Sequence, residues 1–457
     1  MLDKLSKLVI GKRILILGFG REGQSTYKLL KKILPPESIT IADKNPNIIK
    51  NKCLQFDRET KINAGANYLS GLNQFDLIIK SPGISGKLLN SVSVALTSQT
   101  DIFLQYYSGQ TIGITGTKGK STTSSLIHDI LRNYFDDVIL VGNIGVPPFD
   151  LLDKINPETK IVFELSSHQL ENINIAPGIS ILLNIYQEHL DHFNSFNAYK
   201  RAKFNIVKFQ DISDWFIYNA DDREIKMLME EISVPGRKIG YSNRKKEDVG
   251  AFRDMKDNIY FSFDDDHATF DFSKRKSLPG DHNLQNIMAA ACASRILGVP
   301  DDVIIKTVTE FKGLKHRLEY LGQFKNIHFY NDSIATVPEA AIAAVNTLKT
   351  VDTIILGGKD RGIDYNALIA FLLKSDIQNV IYIGEAGKRI CRELVVKNPD
   401  PPFKCFPVDH FDDIKEVISA TTRPGTICLL SPAASSYDMF ESFEERGKAF
   451  KKIAENL

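Results

Sequence analysis

The stretch ITGTKGKSTT, Ile114 to Thr123, decides how the chain is read. The apolar run QTIGITG (110–116) leads into it as a strand, and TTSSLIHDIL leaves it as a helix. That is the setting of a phosphate-binding loop, in which backbone amides wrap the phosphates, a lysine reaches the outer ones and a hydroxyl is offered to Mg2+. Gly116, Thr117, Lys118, Gly119, Lys120, Ser121 and Thr122 are therefore expected to hold ATP, with Lys120 as the phosphate lysine and Ser121 as the hydroxyl. The spacing departs from the strict pattern, because Ile114 stands five positions before Gly119 and Gly116 two later. The plainer reading, a surface turn of glycines and lysines, leaves the order of strand, glycines, lysine and paired hydroxyls unexplained.

A second glycine turn precedes it. GFGREG (18–23) follows the apolar run RILILG (13–18) and opens a helix expected from about Gly23 to Lys32. Asp43 ends the next run, SITIAD (38–43), twenty residues beyond Gly23. This is the dinucleotide fingerprint, in which glycines admit a pyrophosphate to the backbone, the helix start supplies N–H donors and the acid takes a ribose hydroxyl. The geometry recognises a diphosphate beside a ribose, so any nucleoside diphosphate satisfies it. An NAD-linked oxidoreductase stays open at this point, as does a tight strand-to-helix turn with no ligand.

The surrounding sequence supports an α/β chain of three units. After RILILG and SITIAD comes FDLIIKSPG (75–83); QTIGITG is followed by DVILVGN (137–143), KIVFELSS (160–167), ISILLNI (179–185) and WFIYNADD (215–222). A third series runs IHFYNDS (327–333), TIILGGKD (353–360), VIYIGEAG (380–387) and TICLLSP (426–432). Short apolar runs alternating with helical stretches argue for parallel sheets with crossover helices. NIYFSFDDDHATFDF (258–272) reads as a polar antiparallel patch, and the alanine-rich run after GDHNLQN as a helix. Natural cuts fall near 108 and 313, giving units 1–108, 109–313 and 314–457.

At 457 residues the chain is too long for one core. A net charge of +1 carries no bulk attraction to nucleic acid or anionic membrane. Cys53, Cys292, Cys391, Cys405 and Cys428 are scattered, without a CxxC pair or zinc-finger spacing, which fits a reducing compartment. MLDKLSKLVIGKR has no sustained apolar core and is expected to run directly into a strand, and nowhere do 18 uncharged apolar residues run together. The expectation is a cytoplasmic protein, monomeric, with small-molecule substrates, no nucleic-acid partner and no membrane insertion.

A phosphate loop that uses a metal needs ligands at neighbouring strand ends. Glu164 ends KIVFE and His189 lies just past ISILLNI. Each alone is an ordinary residue, a solvated acid or a structural histidine, and only their shared place beside the loop strand raises them. Lys203 in AYKRAKF reads by itself as one exposed lysine among many.

The motifs GTKGKS, GNIG (142–145), ELSSHQLE (164–171), NIYQEHLDHF (184–193), YKRAKF (199–204), NADD (219–222), GDHNLQN (280–286), GLKHRLE (313–319), NDSIAT (331–336) and LLSPAASSYDMFESFEERG (429–447) resemble, in order and over essentially the whole chain, the Mur ligase family. The resemblance implies three domains: an N-terminal Rossmann-like unit for a UDP-sugar, a central P-loop ATPase-like unit, and a C-terminal Rossmann-like unit for the incoming amino acid. One glycine turn then holds the UDP of the acceptor and the other the ATP that activates it, which accounts for two. ELSSHQLE, SPGIS and the SPAASS tail favour the member that adds D-glutamate to UDP-N-acetylmuramoyl-L-alanine, through an acyl phosphate, over those adding L-alanine, a diamino acid or a dipeptide.

By the same resemblance Lys120 steadies the transferring phosphoryl group, and Ser121 and Glu164 hold one Mg2+. His189 holds a second Mg2+ with Lys203, carbamylated by CO2. Asn283 and Asn286 are adenine-side contacts, and Arg317 and Asp332 close over the ATP phosphates and ribose. Gly20, Arg21, Glu22 and Gly23 cradle the acceptor diphosphate, Asp43 and Lys44 lie at the uridine end, and Ser81, Pro82, Gly83 and Asn143 line the remainder. Thr336, Arg361, Ser436 and Phe443 take D-glutamate. Three positions depart from the commoner pattern: Ile334 where a lysine is often found, with Lys359 or Arg361 available to replace it; Arg361 itself, also at a lysine position; and His168 in place of a phenylalanine. An oxidoreductase leaves the second loop, ELSS and HNLQN without a role, and a regulatory P-loop ATPase leaves NDSIAT and SPAASS unexplained. Folylpolyglutamate synthase, a closer rival, needs no dinucleotide-type first unit.

Overall fold

The computed structural model describes residues 2–51, 54, 59–189, 192–244, 250–254, 258–263, 266–273, 278 and 280–457. Cys53, Leu190 and Asp191 of NIYQEHLDHF, and Asp264 and Asp265 of the antiparallel patch, lie outside the described residues. The chain divides into two compact units, Met1–Phe311 and Lys312–Leu457. Among the described residues the strands form three sheets, two in the first unit and one in the second.

The first sheet holds β1 (Ile14–Leu17), β2 (Ile39–Asp43), β3 (Lys61–Ala64), β4 (Leu77–Lys80) and β5 (Ala95–Ser98) in the order β3-β2-β1-β4-β5. Every neighbouring pair is parallel. All four residues of β1 and of β4 are buried, as continuous apolar runs flanked by helices require. The order reverses between β2 and β4, on either side of β1, and the first glycine turn leaves β1 at that switch point, where open α/β sheets bind ligands.

The second sheet comprises β6 (Thr111–Thr115), β7 (Val138–Gly142), β8 (Lys160–Glu164), β9 (Ile179–Leu182), β10 (Trp215–Asn219), β11 (Arg237–Ser242), β12 (Ala251–Arg253), β13 (Asn258–Phe263) and β14 (Asp266–Asp271). Their order is β14-β13-β12-β11-β10-β9-β6-β8-β7. β6 lies third from one edge, with β8 and β9 parallel on either side, so the loop after β6 opens between the ends of those two strands. β13 and β14 pair antiparallel, as the polar patch suggests. One hydrophobic cluster runs from Ile14, Ile16 and Ile79 of the first sheet to Ile161, Phe163 and Leu182 of the second, and the Phe103 and Phe163 rings meet edge to face at 5.6 Å.

In the second unit β15 (Glu319–Phe324), β16 (Ile327–Asn331), β17 (Val351–Gly357), β18 (Asn379–Ile383), β19 (Lys404–Val408) and β20 (Ile427–Leu430) take the order β15-β16-β20-β17-β18-β19. Only the edge pair β15 and β16 is antiparallel among these pairings.

Two expectations change. The N-terminal stretch does not run directly into a strand but first forms a helix, Leu2–Val9, because Leu5 and Val9, one turn apart, both bury completely. The helix after the first glycine turn is Arg21–Leu30, starting two residues before Gly23. Strands β3, β5, β11, β12, β15 and β19 add to the sequence reading; β3, β5, β12, β15 and β19 are short or half-exposed and lack an apolar run, and β11 buries only its last four residues.

Candidate functional site

The loop after β6 folds around a carbonyl. Gly119 caps the helix Lys120–Arg132 with a left-handed φ of 87°, and a Cβ there would stand 2.4 Å from Asn286 Oδ1. Only glycine fits both the dihedral and the space. Lys120 Nζ donates to the carbonyls of Gly116 (2.8 Å) and Thr117 (3.0 Å). Asn184, after β9, ties the loop down: its Oδ1 accepts from Lys118 N at 2.8 Å and its carbonyl from Thr117 N at 2.9 Å. Thr117 Oγ1 is bonded to Tyr199 Oη at 3.0 Å, and Lys118 Nζ reaches Glu188 Oε1. Asn286 Nδ2 donates to Asn283 Oδ1 at 3.1 Å on the helix Asp281–Ile296, and Asn286 stands against the loop at Gly119.

Lys203 is not an exposed lysine. It sits on the helix Phe196–Lys208 with 2% exposure, and its ammonium donates to the same Gly116 carbonyl at 2.9 Å. Burial first, and then the charge of Lys120, push its pKa well below the usual lysine value; Glu188 opposes the shift. Glu164, at the end of β8, is fully buried: Oε1 accepts from Asn143 Nδ2 at 2.7 Å, while Oε2 has no hydrogen-bond partner. His189 has a left-handed φ of 57°, uncommon for a residue with a Cβ, and its carbonyl accepts from the amides of His192 and Phe193. Its ring lies 4.9 Å from that of His168, whose pKa burial and the neighbouring imidazoles lower to about 4.

Of these groups Lys120, Asn143, His168, Glu188, His189, Tyr199 and Lys203 line one cavity of about 400 Å³, together with Pro82, Gly83, Ser166 and Ser167. Among the described residues no cluster of three or more His, Cys, Asp or Glu side chains is arranged to hold a metal. The donor set nevertheless fits Mg2+, which keeps several waters and takes one or two carboxylates plus substrate phosphates: the orphaned Glu164 oxygen and the Ser121 hydroxyl stand beside a phosphate loop.

At the first glycine turn, Gly23 packs so closely that a Cβ would meet the Gly18 carbonyl at 2.1 Å, and Ser81 Oγ donates to that carbonyl at 2.7 Å. Asp43 accepts from Phe19 N at 2.6 Å and Asn45 N at 2.7 Å, so it braces the turn, while Lys44 is exposed beside it. Gly20 caps the following helix, and Arg21 Nη2 donates to the Gly145 carbonyl at 2.5 Å. Glu22 points inward, unlike a diphosphate contact: Oε1 accepts from Gln169 Nε2 at 2.7 Å, Oε2 is buried without a partner, and burial raises the carboxyl to about 7. A carboxyl bonded inward to Gln169 is turned from the diphosphate contact expected of it; it links the turn to ELSSHQLE. Asn143 likewise does more than line the acceptor path, since it holds Glu164 in place.

In the second unit, Arg361 Nη2 donates to the Thr336 carbonyl at 2.9 Å, which brings those two predicted residues together. Asp332 accepts from Ser431 Oγ at 2.7 Å and Leu318 N at 3.2 Å, and burial, against those bonds and the nearby Arg317, raises it to about 6. Ser436 is buried, and the Phe443 carbonyl accepts from Ser333 Oγ at 2.8 Å. Lys359, the alternative to a lysine at Ile334, is exposed.

Two residues escaped the sequence reading. Arg446, fully buried in FEERG, donates to Ser333 Oγ (3.0 Å) and to the carbonyls of Ser333 (2.9 Å), Ala434 (3.0 Å) and Gly357 (3.4 Å), tying NDSIAT, GGKDRG and SPAASS together. Nothing local marks it. Lys80, buried at the end of β4, pairs with Glu171 Oε2 at 2.9 Å; the charge closing the apolar run LIIK was the available signal.

Residues 114–294 match the Mur ligase middle domain and residues 316–434 the Mur ligase glutamate ligase domain. The UDP-N-acetylmuramoylalanine--D-glutamate ligase of Geobacillus sp. (strain WCH70) is 33% identical, covering 96% of this chain and 96% of its own. Its namesake from Clostridioides difficile (strain 630) is 34% identical, covering 98% and 99%. Among solved structures, MurF from Acinetobacter baumannii superposes with a TM-score of 0.58 at 16% identity, covering 98% of this chain and 92% of that one. At that identity the likeness concerns the fold alone. No helix among the described residues is long and apolar enough to cross a membrane.

Proposed function

The chain belongs to the Mur ligase family, and we propose that it joins D-glutamate to UDP-N-acetylmuramoyl-L-alanine with hydrolysis of ATP, in peptidoglycan precursor synthesis. The observation that carries the reading is the shared cavity, because Pro82 and Gly83 of the acceptor side and Lys120 of the ATP loop line the same space. A cavity lined both by the loop that follows β4 and by the phosphate loop suits a reaction in which an acceptor carboxylate must meet a phosphoryl group.

The acceptor carboxylate attacks the γ-phosphorus, ADP leaves, the amine of D-glutamate attacks the acyl carbon, and phosphate leaves as the amide forms and a proton is lost. Two anions must be brought together, so positioning and charge neutralisation dominate. Lys120 and the loop amides of Gly116 to Thr122 hold the phosphates. Asn283 and Asn286 flank the adenine, and Arg317 and Asp332 are assigned to ATP by resemblance. The turn from Gly18 to Gly23, braced by Asp43 and Ser81, receives the UDP. Thr336, Arg361, Ser436 and Phe443 bind the amino acid, on loops that Arg446 fixes. Ser121 and Glu164 would hold one Mg2+, and His189 with Lys203 a second; Mg2+ supplies charge neutralisation of the phosphates.

Lys203 is the residue to carry a carbamate. Its depressed pKa favours the neutral amine, which attacks CO2 and loses a proton, so that a cation becomes an anion with two oxygens suited to a hard metal ion. In this reading the enzyme is a cytoplasmic monomer acting on small molecules.

Phosphate release from ATP, assayed with UDP-N-acetylmuramoyl-L-alanine against a panel of amino acids, tests the proposal. Release dependent on D-glutamate is expected. Equal release with L-alanine or a diamino acid would move the chain to another member of the family. NADH binding that the acceptor cannot displace would reopen the oxidoreductase.

A further inference from the structure

We propose that His168 and His189 form a two-imidazole site that binds a first-row transition ion in preference to Mg2+. The inference deepens the reading above and rests on His189 being a cation ligand there.

Both rings line the same cavity, and their centroids are 4.9 Å apart with planes crossing at 74°. An ion bound to an imidazole nitrogen stands about 2.1 Å from it, so two imidazoles that are adjacent ligands of one ion have centroids about 4.5 to 5.5 Å apart. The observed separation lies within that span. A third ring, His192, approaches His168 to 4.1 Å, too near for both to be side-by-side ligands. His192 is occupied elsewhere, with Nε2 3.5 Å from Glu171 Oε2, which in turn pairs with Lys80. The ligand pair is thereby narrowed to His168 and His189.

Both rings are reachable: His168 is half-buried, and the His189 side chain keeps 48% of its exposure. The His189 backbone has a left-handed φ of 57°, and its carbonyl accepts from the amides of His192 and Phe193. Two ligands make an open site, and the remaining positions fall to water, substrate oxygens or the carbamate proposed on Lys203. Imidazole nitrogen favours the later first-row ions, whereas Mg2+ is best served by oxygen and gives up its water reluctantly. A second imidazole therefore shifts the preference of the site as well as its affinity.

The test titrates Co2+ into the full-length protein in bicarbonate buffer with ADP, counting bound imidazoles by their hyperfine-shifted exchangeable N–H proton resonances and measuring affinity by calorimetry. Two such resonances are expected, and His168→Gln should lose one of them together with about tenfold of Co2+ affinity, while Mg2+ affinity changes by less than about twofold. His168→Phe, which keeps a ring in the packed cluster, gives the same readings should His168→Gln fail to fold. A single resonance that survives His168→Gln overturns the pair while leaving His189 as a ligand. No resonance in the unaltered protein overturns the pair and removes His189 from the cation site as well.

Discussion

Lys120 and Lys203 direct their ammonium groups at one acceptor, the Gly116 carbonyl, and they differ in burial: Lys120 is half-buried and Lys203 is 2% exposed. Burial first and then the charge of Lys120 hold the Lys203 ammonium well below the usual lysine value. Lys203→Ala should lower kcat by about 100-fold or more with an unchanged melting curve, and acetate or formate should restore part of the rate by replacing the missing oxygens. Full activity of that variant in carbonate-free buffer would remove Lys203 from catalysis. Glu22 presents the opposite sign of charge in a similar setting. Burial raises its folded pKa to about 7, above the ordinary glutamate value, so its contribution to stability is full below that ordinary value and is lost as pH rises through about 7. Glu22→Gln keeps an acceptor for Gln169 and removes the buried charge. It should stabilise the protein by about 2 kcal/mol at pH 8 and much less at pH 5; equal shifts in urea melts at the two pH values would refute the assignment.

The strand, the glycine turn and the helix that follows are elements whose chemistry is written locally, and here the sequence is a sufficient guide. Gly119 is needed because its φ is 87° and Asn286 Oδ1 would lie 2.4 Å from a Cβ. Gly119→Ala should cost about 1 to 3 kcal/mol of stability and raise the KM for ATP about tenfold or more while leaving that for D-glutamate within about twofold. A normal ATP KM would mean that the loop does not carry the nucleotide. Beyond such elements the legibility fades for a definite reason. Glu22 meets Gln169 across 147 positions and Arg446 meets Ser333 across 113, and no local spacing encodes such pairs. Lys203 looked like a surface lysine because a helix shows its buried face only against a partner. The N-terminal helix was missed because one turn of apolar spacing, Leu5 to Val9, is too short a signal to weigh against the strand that follows.

At the scale of the molecule the proposed sites are divided between the two compact units, with the phosphate loop, Glu164, His189 and Lys203 in Met1–Phe311 and the residues proposed for D-glutamate in Lys312–Leu457. Kinetic effects should divide the same way. Arg361 is exposed, anchored by one bond to the Thr336 carbonyl, and leaves most of its donors available for a carboxylate. A charge-assisted bond of that kind contributes about 1.5 to 3 kcal/mol, which corresponds to a KM rise of about 10- to 100-fold. Arg361→Ala should therefore raise the KM for D-glutamate by that factor and the KM for ATP by less than about twofold, the reverse of Gly119→Ala in the other unit. Arg361→Lys should fall between, since an ammonium keeps the charge and loses the bidentate fork. If Arg361→Ala raised both constants equally, Arg361 would belong with the phosphates, filling the place that Ile334 leaves without a cation, and the amino acid would depend on Ser436, Thr336 and the loops that Arg446 holds.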